Sequence, residues 1–316
     1  MIINILMLII GIILLIKGAD IFVDGASSIA GNFKVSKMLI GLTIVAFGTS
    51  APEFAVSIKS IINGSGDIVL GNVIGSNIIN ILLILGLSSL FHSLNVKNDT
   101  VKKELPILLL VTIVFSVLLL DNLFDKNYIA VFTRSDGIIM LLFFTVFIYY
   151  LISVARKKTD TEKEEYMPML NAFAFVIVGL VSVILGSNLV VDNASILAKT
   201  IGVSEKFIAL TIIALGTSLP ELVTSIVATR KGEYDIAIGN IVGSNMFNLG
   251  MVIGVPVTLF GGISKITFNY IDLIVMIISI FLLYIFSLKN KKLTKRHGLI
   301  FLLIFLIYYL YIIFNA

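Results

Sequence analysis

The stretch GLTIVAFGTSAPEFAVSI, at residues 41–58, decides how this chain folds, because a close copy of it occurs later in the sequence. A shift of 168 residues places it without a gap on ALTIIALGTSLPELVTSI at residues 209–226, and the two stretches agree at eleven of eighteen positions. The same shift places GNVIGSNIIN at residues 71–80 on GNIVGSNMFN at residues 239–248. Self-similarity at a fixed spacing is the signature of a repeated structural unit. We therefore predict two copies of one unit.

The composition indicates that most of the chain lies in a membrane. Of its 316 residues, 58% are hydrophobic and only 13% are charged, whereas soluble domains have about 45–50% apolar and about 25% charged residues. Apolar stretches long enough to cross a hydrocarbon core of about 30 Å, which takes about 20 helical residues, recur from end to end. We predict ten membrane spans, near residues 3–23, 37–62, 67–90, 103–121, 135–155, 169–191, 205–229, 235–260, 267–287 and 297–314.

The number of spans and the positions of the basic residues predict the topology. Five spans in each repeat is an odd number, so the second repeat enters the membrane from the opposite side and the two repeats are inverted. Most Lys and Arg residues fall in loops that follow odd-numbered spans. The positive-inside rule then makes these loops cytoplasmic and both termini extracellular.

The predicted fold is therefore an all-α integral membrane protein, multi-pass in the cell membrane, with ten transmembrane helices as two inverted five-helix repeats. The first repeat is predicted at residues 1–155, a cytoplasmic linker at 156–168 and the second repeat at 169–316. The net charge of +4 comes from loop residues, as topology alone produces, so the expected surroundings are the lipid bilayer, with no nucleic acid as a partner. The absence of cysteine excludes disulfides, thiolate metal sites and cysteine nucleophiles.

Each copy of the first motif places a glutamate, Glu53 or Glu221, deep inside an apolar span. An ionisable group at that depth costs at least about 2.5 kcal/mol unless something compensates. The residue before each glutamate is proline, which lacks an N–H and clashes with the carbonyl four residues back, so each helix should break there. The break should leave carbonyls around Ala46–Thr49 and Ala214–Thr217 without intrahelical partners, and a bound cation would satisfy them.

Hydroxyl groups accompany each glutamate. Thr49 and Ser50 lie four and three residues before Glu53, close to it on one helical face, and Thr217 and Ser218 repeat the arrangement in the second copy. Hydroxyl, carbonyl and carboxylate oxygens are hard ligands that suit Ca²⁺ and other hard cations. The two histidines, His92 and His297, lie at span ends and are interpreted as interfacial residues without a metal role.

The second motif places a polar face on the neighbouring span of each repeat. Polar residues recur every four positions, at Asn72, Ser76, Asn80, Asn240, Ser244 and Asn248. We predict that Ser76, Asn80, Ser244 and Asn248 face the ions. For Asn72 and Asn240, an ion-facing position and a role in helix packing stay equally open, because amides also hydrogen-bond across membrane helices.

The charge of the predicted pocket suggests a mechanism. Two carboxylates in surroundings of low dielectric constant carry a charge of −2. One Ca²⁺ or two to three Na⁺ would neutralise this charge. Such a pocket is energetically unfavourable when it is empty and nearly neutral when either Ca²⁺ or Na⁺ is bound. Its opening would therefore change from one side of the membrane to the other only when it is occupied. Inverted repeats with sites on interrupted helices near the midplane are a recurrent construction of secondary transporters. These features predict an obligatory cation antiporter.

The two pairs of motifs resemble the alpha repeats of sodium/calcium exchangers, within the calcium/cation antiporter superfamily. The resemblance is carried by GTSAPEF with GNVIGSN in the first half and by GTSLPEL with GNIVGSN in the second. It covers nearly the whole chain. It implies a ten-helix fold in which eight helices form a compact core and the long first and sixth helices slide across that core to alternate access. It implies neither an enzyme activity nor a cofactor nor a protein partner.

The resemblance also implies roles for individual residues. The calcium site would use the carboxylates of Glu53 and Glu221 with the main-chain carbonyls of Thr49 and Thr217. Sodium sites would add the remaining oxygen ligands, which are Ser50, Ser218, Ser76, Ser244 and the carbonyls of Ala46 and Ala214. Asn80 and Asn248 would flank the central position. The transported ions would be Ca²⁺ and Na⁺.

Four alternatives stay open at this stage. A proton antiporter for Ca²⁺ or another divalent cation is the first, because a buried glutamate can exchange protons. Proton-coupled relatives, however, carry a glutamate in the second motif where this chain has Gly-Ser-Asn. Some relatives, including potassium-dependent exchangers, place an acid where Asn248 stands, which makes potassium coupling less favoured here. A cation channel would also use acidic and carbonyl groups, but it has no use for inverted halves. An intramembrane enzyme could use paired glutamates on a metal, but no histidine lies near them.

Overall fold

The computed structural model describes residues 1–120, 131–156, 166–203, 208, 211–212, 214–263 and 269–315. Most of the predicted linker and the start of the seventh predicted span lie outside these residues. The helices are α1 (Ile2–Phe33), α2 (Lys37–Thr49), α3 (Ala51–Ile62), α4 (Gly66–Phe91), α5 (Leu105–Leu119), α6 (Arg134–Ala155), α7 (Met169–Thr200), α8 (Ala214–Gly216), α9 (Leu219–Arg230), α10 (Tyr234–Phe260), α11 (Tyr270–Asn290) and α12 (Lys295–Asn315). Two strands of two residues, β1 (Leu94–Asn95) and β2 (Lys292–Leu293), pair antiparallel.

The helices confirm the prediction of an all-helical membrane protein. Within the described residues, seven helices are long and apolar enough to cross a membrane, and α2 with α3 forms one further candidate span that is bent by 45°. The apolar helix α5 is shorter, but the π-helical segment Thr100–Glu104 leads directly into it. The full set of ten spans stays a prediction.

The first and sixth predicted spans ended too early. The predicted ends were residues 23 and 191, whereas α1 and α7 each run for 32 residues, to Phe33 and Thr200. The prediction followed the fall in hydropathy near Asp24 and Asp192. The α1 helix nevertheless continues because its last ten residues are mostly small or apolar and bury Gly25, Ala26, Ser28, Ile29, Ala30 and Gly31.

The two long helices pack against each other along a line of small residues. Gly11 lies against Gly186, Gly18 against Gly179, and Gly25 against Ala172, so α1 and α7 run antiparallel with a close approach every seven residues. A Cβ atom added to Gly179 would lie 2.5 Å from the main-chain nitrogen of Phe22, which leaves no room for any side chain. These small residues therefore join α1 and α7 into one closely packed pair.

The two motif-bearing helices occupy the centre of the protein. Most of α4 and nearly all of α10 are buried, whereas α1 and α7 are mostly exposed on the outside. The second motif of each repeat lies on α4 or α10, and the first motif spans the breaks between α2 and α3 and between α8 and α9. The candidate site therefore forms where these segments meet in the interior.

The acidic residues of α1 lie outside this centre, where they pair with a lysine at the end of α9. The Lys231 Nζ atom lies 2.8 Å from Asp20 Oδ1 and 2.6 Å from Asp24 Oδ1. Because these pairs are partly exposed to solvent, each contributes only about 0.2–1 kcal/mol.

We expect Asp24→Asn to slow the cation exchange that the sequence predicts by less than about tenfold, and Asp192→Asn to be equally mild. Initial rates of Ca²⁺ uptake into proteoliposomes measure this. A complete loss of exchange in Asp24→Asn would show that Asp24 belongs to the ion pathway.

Candidate ion-binding site

The predicted helix breaks are confirmed at two serines. Ser50, with φ −82° and ψ 4°, separates α2 from α3, and Ser218, with φ −87° and ψ 5°, precedes α9. The proline that follows each serine lies in the first turn of the next helix, where its missing N–H leaves no bond unmade. Glu53 and Glu221 consequently lie in the first turns of α3 and α9. The partial positive charge of a helix N-terminus stabilises carboxylates there.

Only some of the main-chain carbonyls that were predicted to lose their intrahelical hydrogen-bond partners do so. The carbonyl freed by Pro220 is that of Gly216, and it accepts a hydrogen bond from Ser187 Oγ of α7 over 2.9 Å. The expectation was wrong for Ala46, whose carbonyl keeps an intrahelical partner, the Ser50 N–H at 3.0 Å. The physical reason is that Pro52 removes the donor for the carbonyl four residues back, at position 48, and leaves the donor for position 46 in place.

The two glutamates are the charged groups at the centre of the site. Glu53 and Glu221 are each only 1% exposed. Ser50 Oγ donates to Glu221 Oε1 over 3.1 Å, and Ser218 Oγ lies 3.5 Å from Glu53 Oε1. Each carboxylate therefore accepts a hydrogen bond from the serine of the other repeat.

The second oxygen of each carboxylate has no hydrogen-bond donor among the residues that the structure describes. Within the described part of the chain, Glu53 Oε2 and Glu221 Oε2 are buried without a hydrogen-bond partner. No ion pair among the described residues includes either glutamate. A buried, unpaired carboxylate is costly, so a proton or a cation must compensate it.

The threonines of the first motif bond to asparagines of the opposite repeat. Thr49 Oγ1 donates to Asn240 Oδ1 over 3.0 Å, and Asn240 Nδ2 donates in turn to Ser225 Oγ over 3.0 Å. On the other side, Thr217 Oγ1 and Asn72 Oδ1 are 3.5 Å apart. These bonds favour the packing role for Asn72 and Asn240, because each amide bonds to a threonine and, among the described residues, neither forms a hydrogen bond with a carboxylate side chain.

The serines of the second motif lie in the same pocket as the carboxylates, Ser244 in contact with Glu221 and Ser76 in contact with Ser218. Ser244 Oγ is 3.5 Å from both Glu221 Oε1 and the Ala46 carbonyl oxygen. Ser76 Oγ accepts from Ser218 Oγ over 3.2 Å, and Ser218 in turn faces Glu53. The structure thus brings hydroxyls from both motifs and both repeats to one buried pocket. Ala214 is the first residue of α8.

The asparagines predicted to flank the central position, Asn80 and Asn248, are both buried in the structure. Asn80 and Asn248 are each 1% exposed, and their Oδ1 atoms have no hydrogen-bond partner among the described residues. Each lies in a π-helical turn, Ile79–Leu85 or Asn248–Val252. Such turns are frequent at functional sites, and nothing in the sequence had indicated them.

Sequence reasoning missed two further asparagines. Asn77 and Asn245 are fully buried, and Asn80 Nδ2 donates to Asn245 Oδ1 over 2.9 Å. Both residues end the second motif, GNVIGSN or GNIVGSN. Their recurrence at the same shift as the predicted ligands was the signal that could have identified them.

Comparison with known proteins places this site in a family. A family model described as sodium/calcium exchanger protein matches residues 3–153 and 171–314. The chain belongs to this sodium/calcium exchanger family. It is similar to Inner membrane protein YrbG of Escherichia coli (strain K12), with 39% identity over 76% of this chain and 75% of that protein. It is also similar to Sodium/calcium exchanger MaX1 of Methanosarcina acetivorans, with 32% identity over 99% of each chain.

Solved structures of another sodium/calcium exchanger family protein have the same fold as this member. The sodium-calcium exchanger NCX_Mj, soaked with 2.5 mM Na⁺ and 0.1 mM Ca²⁺, superposes with a TM-score of 0.84 and is 31% identical over 97% of each chain. The same protein soaked with zero Na⁺ and Ca²⁺ gives a TM-score of 0.83 at 33% identity. The chain is thus a multi-pass membrane protein of an exchanger family, which is a class of transporter and not of enzyme.

Proposed function

We propose that this protein exchanges Ca²⁺ for Na⁺ across the cell membrane, by alternating access to one site between Glu53 and Glu221. The observation that carries the proposal is the pair of buried carboxylates, each with one oxygen bound by a serine of the other repeat and one oxygen without a partner among the described residues. Together they hold a charge of −2 in surroundings where charge is poorly screened. One Ca²⁺ or several Na⁺ would neutralise that charge.

The proposed ligands are oxygen atoms throughout, which suits these two cations. Ca²⁺ would bind the two glutamates and the carbonyls of Thr49 and Thr217. Na⁺ would use the surrounding oxygens, which are those of Ser50, Ser218, Ser76 and Ser244 and the carbonyls of Ala46 and Ala214. Asn80 and Asn248 would flank the central position. Because both are neutral amides, the pocket lacks the further acid that potassium-dependent relatives place where Asn248 stands, and this favours Na⁺ over potassium coupling.

The proposed architecture is ten transmembrane helices in two inverted repeats, residues 1–155 and 169–316, with both termini outside and a cytoplasmic linker. Contacts between the predicted cytoplasmic loops support it. Asn32 Nδ2 donates to the Met167 carbonyl over 2.9 Å, the ion pair Lys37–Glu233 spans 2.8 Å, and β1 pairs with β2. These contacts join segments that follow the first, third, fifth, seventh and ninth predicted spans. An inverted arrangement puts all of these segments on one side of the membrane.

The test is uptake of labelled Ca²⁺ into proteoliposomes that are loaded with Na⁺, with K⁺, or with a proton gradient of either direction. We expect uptake only from the Na⁺-loaded vesicles. Uptake driven by the proton gradient alone would instead support the proton/calcium antiporter. Uptake down a Ca²⁺ gradient without any counter-ion would indicate a channel.

Replacing Asn248 with Asp should change the coupling of exchange. The added carboxylate would raise the pocket charge to −3, and like charges in poorly screened surroundings disfavour ionisation. The new group should therefore take up a proton or recruit a further monovalent cation. We expect Ca²⁺ exchange by Asn248→Asp to vary at least about threefold more strongly with pH or K⁺ than the parent's does.

Parallel flux assays across pH and K⁺ concentration measure this difference. Identical dependence on Na⁺, K⁺ and pH in the variant and the parent would show that Asn248 does not face the ions. Its role would then be that of a helix-packing amide.

A further inference from the structure

The amide groups at the centre of the site form a directed chain of hydrogen bonds. Asn80 Nδ2 donates to Asn245 Oδ1 over 2.9 Å, and Asn245 Nδ2 donates to the main-chain carbonyl of Asn77 over 3.4 Å. All three residues are buried. At the far end of the chain, Asn80 Oδ1 has no hydrogen-bond partner in the described part of the protein.

The carbonyl of Asn77 fixes the direction of the whole chain. A main-chain carbonyl only accepts hydrogen bonds, so the group of Asn245 that faces it must be the NH₂ group. The oxygen of Asn245 is then the group that faces Asn80, and it selects the NH₂ group of Asn80. Reversing either amide would place two oxygens or two NH₂ groups together in the interior, where an unmade hydrogen bond is costly. The oxygen of Asn80 is therefore turned away from Asn245.

We propose that Asn245 is a positioning residue that makes Asn80 present an oxygen, and not an NH₂ group, to the transported cation. An amide can offer either group according to its rotation, and only the oxygen binds a hard cation such as Ca²⁺. The inference rests on the proposed function, because it takes the pocket beside Glu53 and Glu221 to be the cation site. It adds a residue outside the pocket's ligand set whose effect on cation binding passes through Asn80.

The two repeats use this asparagine differently. Asn77 is the counterpart of Asn245, but its Nδ2 donates to the carbonyl of Val73, four residues back in its own helix, over 2.9 Å. Asn245 instead crosses from α10 to α4. The orientation of Asn80 thus depends on a residue of the other repeat, and the internal symmetry of the sequence does not predict this dependence.

The test is equilibrium binding of Ca²⁺ to purified, Na⁺-free protein that carries Asn245→Leu, a side chain of similar size without a donor or acceptor. We expect Ca²⁺ to bind about tenfold more weakly, because Asn80 loses its acceptor and its NH₂ group can turn toward the pocket. The matched control is Asn193→Leu, which removes a buried amide that donates to the Leu189 carbonyl in its own helix. This control should change the binding constant by less than about twofold.

A double-variant comparison separates positioning from a general structural role. If Asn245 acts through Asn80, the pair Asn80→Ala with Asn245→Leu binds Ca²⁺ as Asn80→Ala alone does. A full further loss in the double variant would overturn the proposal, and so would unchanged binding in Asn245→Leu. If Asn245→Leu does not fold, Asn245→Ala replaces it with the same expectations.

The same experiment distinguishes this inference from the proposed function. A parent that binds Na⁺ but not Ca²⁺ would refute the proposed exchange, and the comparison of variants made with Na⁺ would still decide the role of Asn245. A parent that binds Ca²⁺ with no effect of Asn245→Leu would refute the positioning role alone. A parent that binds neither cation would overturn both.

Discussion

Replacing Glu53 or Glu221 with glutamine is expected to remove Ca²⁺ transport while leaving a folded protein. Each substitution removes half of the pocket's charge with little change in side-chain shape, and the remaining carboxylate cannot neutralise a divalent cation in buried surroundings. The initial rate of Na⁺-dependent Ca²⁺ uptake should fall by at least about 100-fold, which corresponds to about 3 kcal/mol. Proteoliposome flux measures the rate, and thermal unfolding in detergent shows that each variant is folded.

The matched control for this experiment is Glu104→Gln. Glu104 is also a buried glutamate, 3% exposed, but its partner is the hydroxyl of Tyr150 on α6, and among the described residues it has no hydrogen bond to a proposed ligand. We expect this variant to keep most of its exchange activity. Near-normal exchange in either site variant, or an equal loss in the control, would refute the assignment of the ion site.

Cross-linking α1 to α9 is expected to stop transport and preserve Ca²⁺ binding. Asp24 on α1 and Lys231 at the end of α9 are joined by an ion pair of 2.6 Å. The natural chain has no cysteine, so Asp24→Cys with Lys231→Cys gives a single pair for a short bifunctional thiol reagent. If α1 and α7 move across the core during exchange, a fixed link between α1 and α9 blocks that movement. Uptake should fall to background in the linked fraction.

The control link joins α1 to α7 instead. The rings of Phe33 and Phe173 lie 6.4 Å apart at the interface of these two helices. Because the glycine line packs α1 and α7 as one pair, linking Phe33→Cys to Phe173→Cys should leave transport largely intact. Unaffected transport in a fully linked Asp24→Cys/Lys231→Cys sample would refute the movement of α1 against the core. Loss of transport through the control link would refute movement as a pair.

Much of the candidate site could be predicted because the sequence contains it twice. One glutamate after a proline in an apolar span is compatible with a simple kink, but two at matched positions indicate function. The breaks at Ser50 and Ser218 follow from the missing N–H of proline and its clash with the preceding turn. The grouping of Glu53 with Glu221 follows from the symmetry of the two repeats.

The remaining features depend on contacts between segments far apart in the chain. The partner of the glycines in α1 could not be assigned, because small residues indicate a close approach but not which helix approaches. The end of α1 was missed because a fall in hydropathy marks the edge of an apolar stretch, whereas a helix continues wherever its backbone bonds continue. The proposed role of Asn245 could not be predicted because the two repeats bond the equivalent asparagines differently.

Competition between Na⁺ and Ca²⁺ at equilibrium tests the central claim, one shared site between Glu53 and Glu221, most directly. Labelled Ca²⁺ bound to the purified protein is measured while Na⁺ replaces an inert organic cation at constant ionic strength. We predict that Na⁺ displaces all of the bound Ca²⁺, with a Hill coefficient for Na⁺ above one, because more than one Na⁺ is needed to replace one Ca²⁺. Bound Ca²⁺ that stays unchanged at every Na⁺ concentration would contradict a shared site.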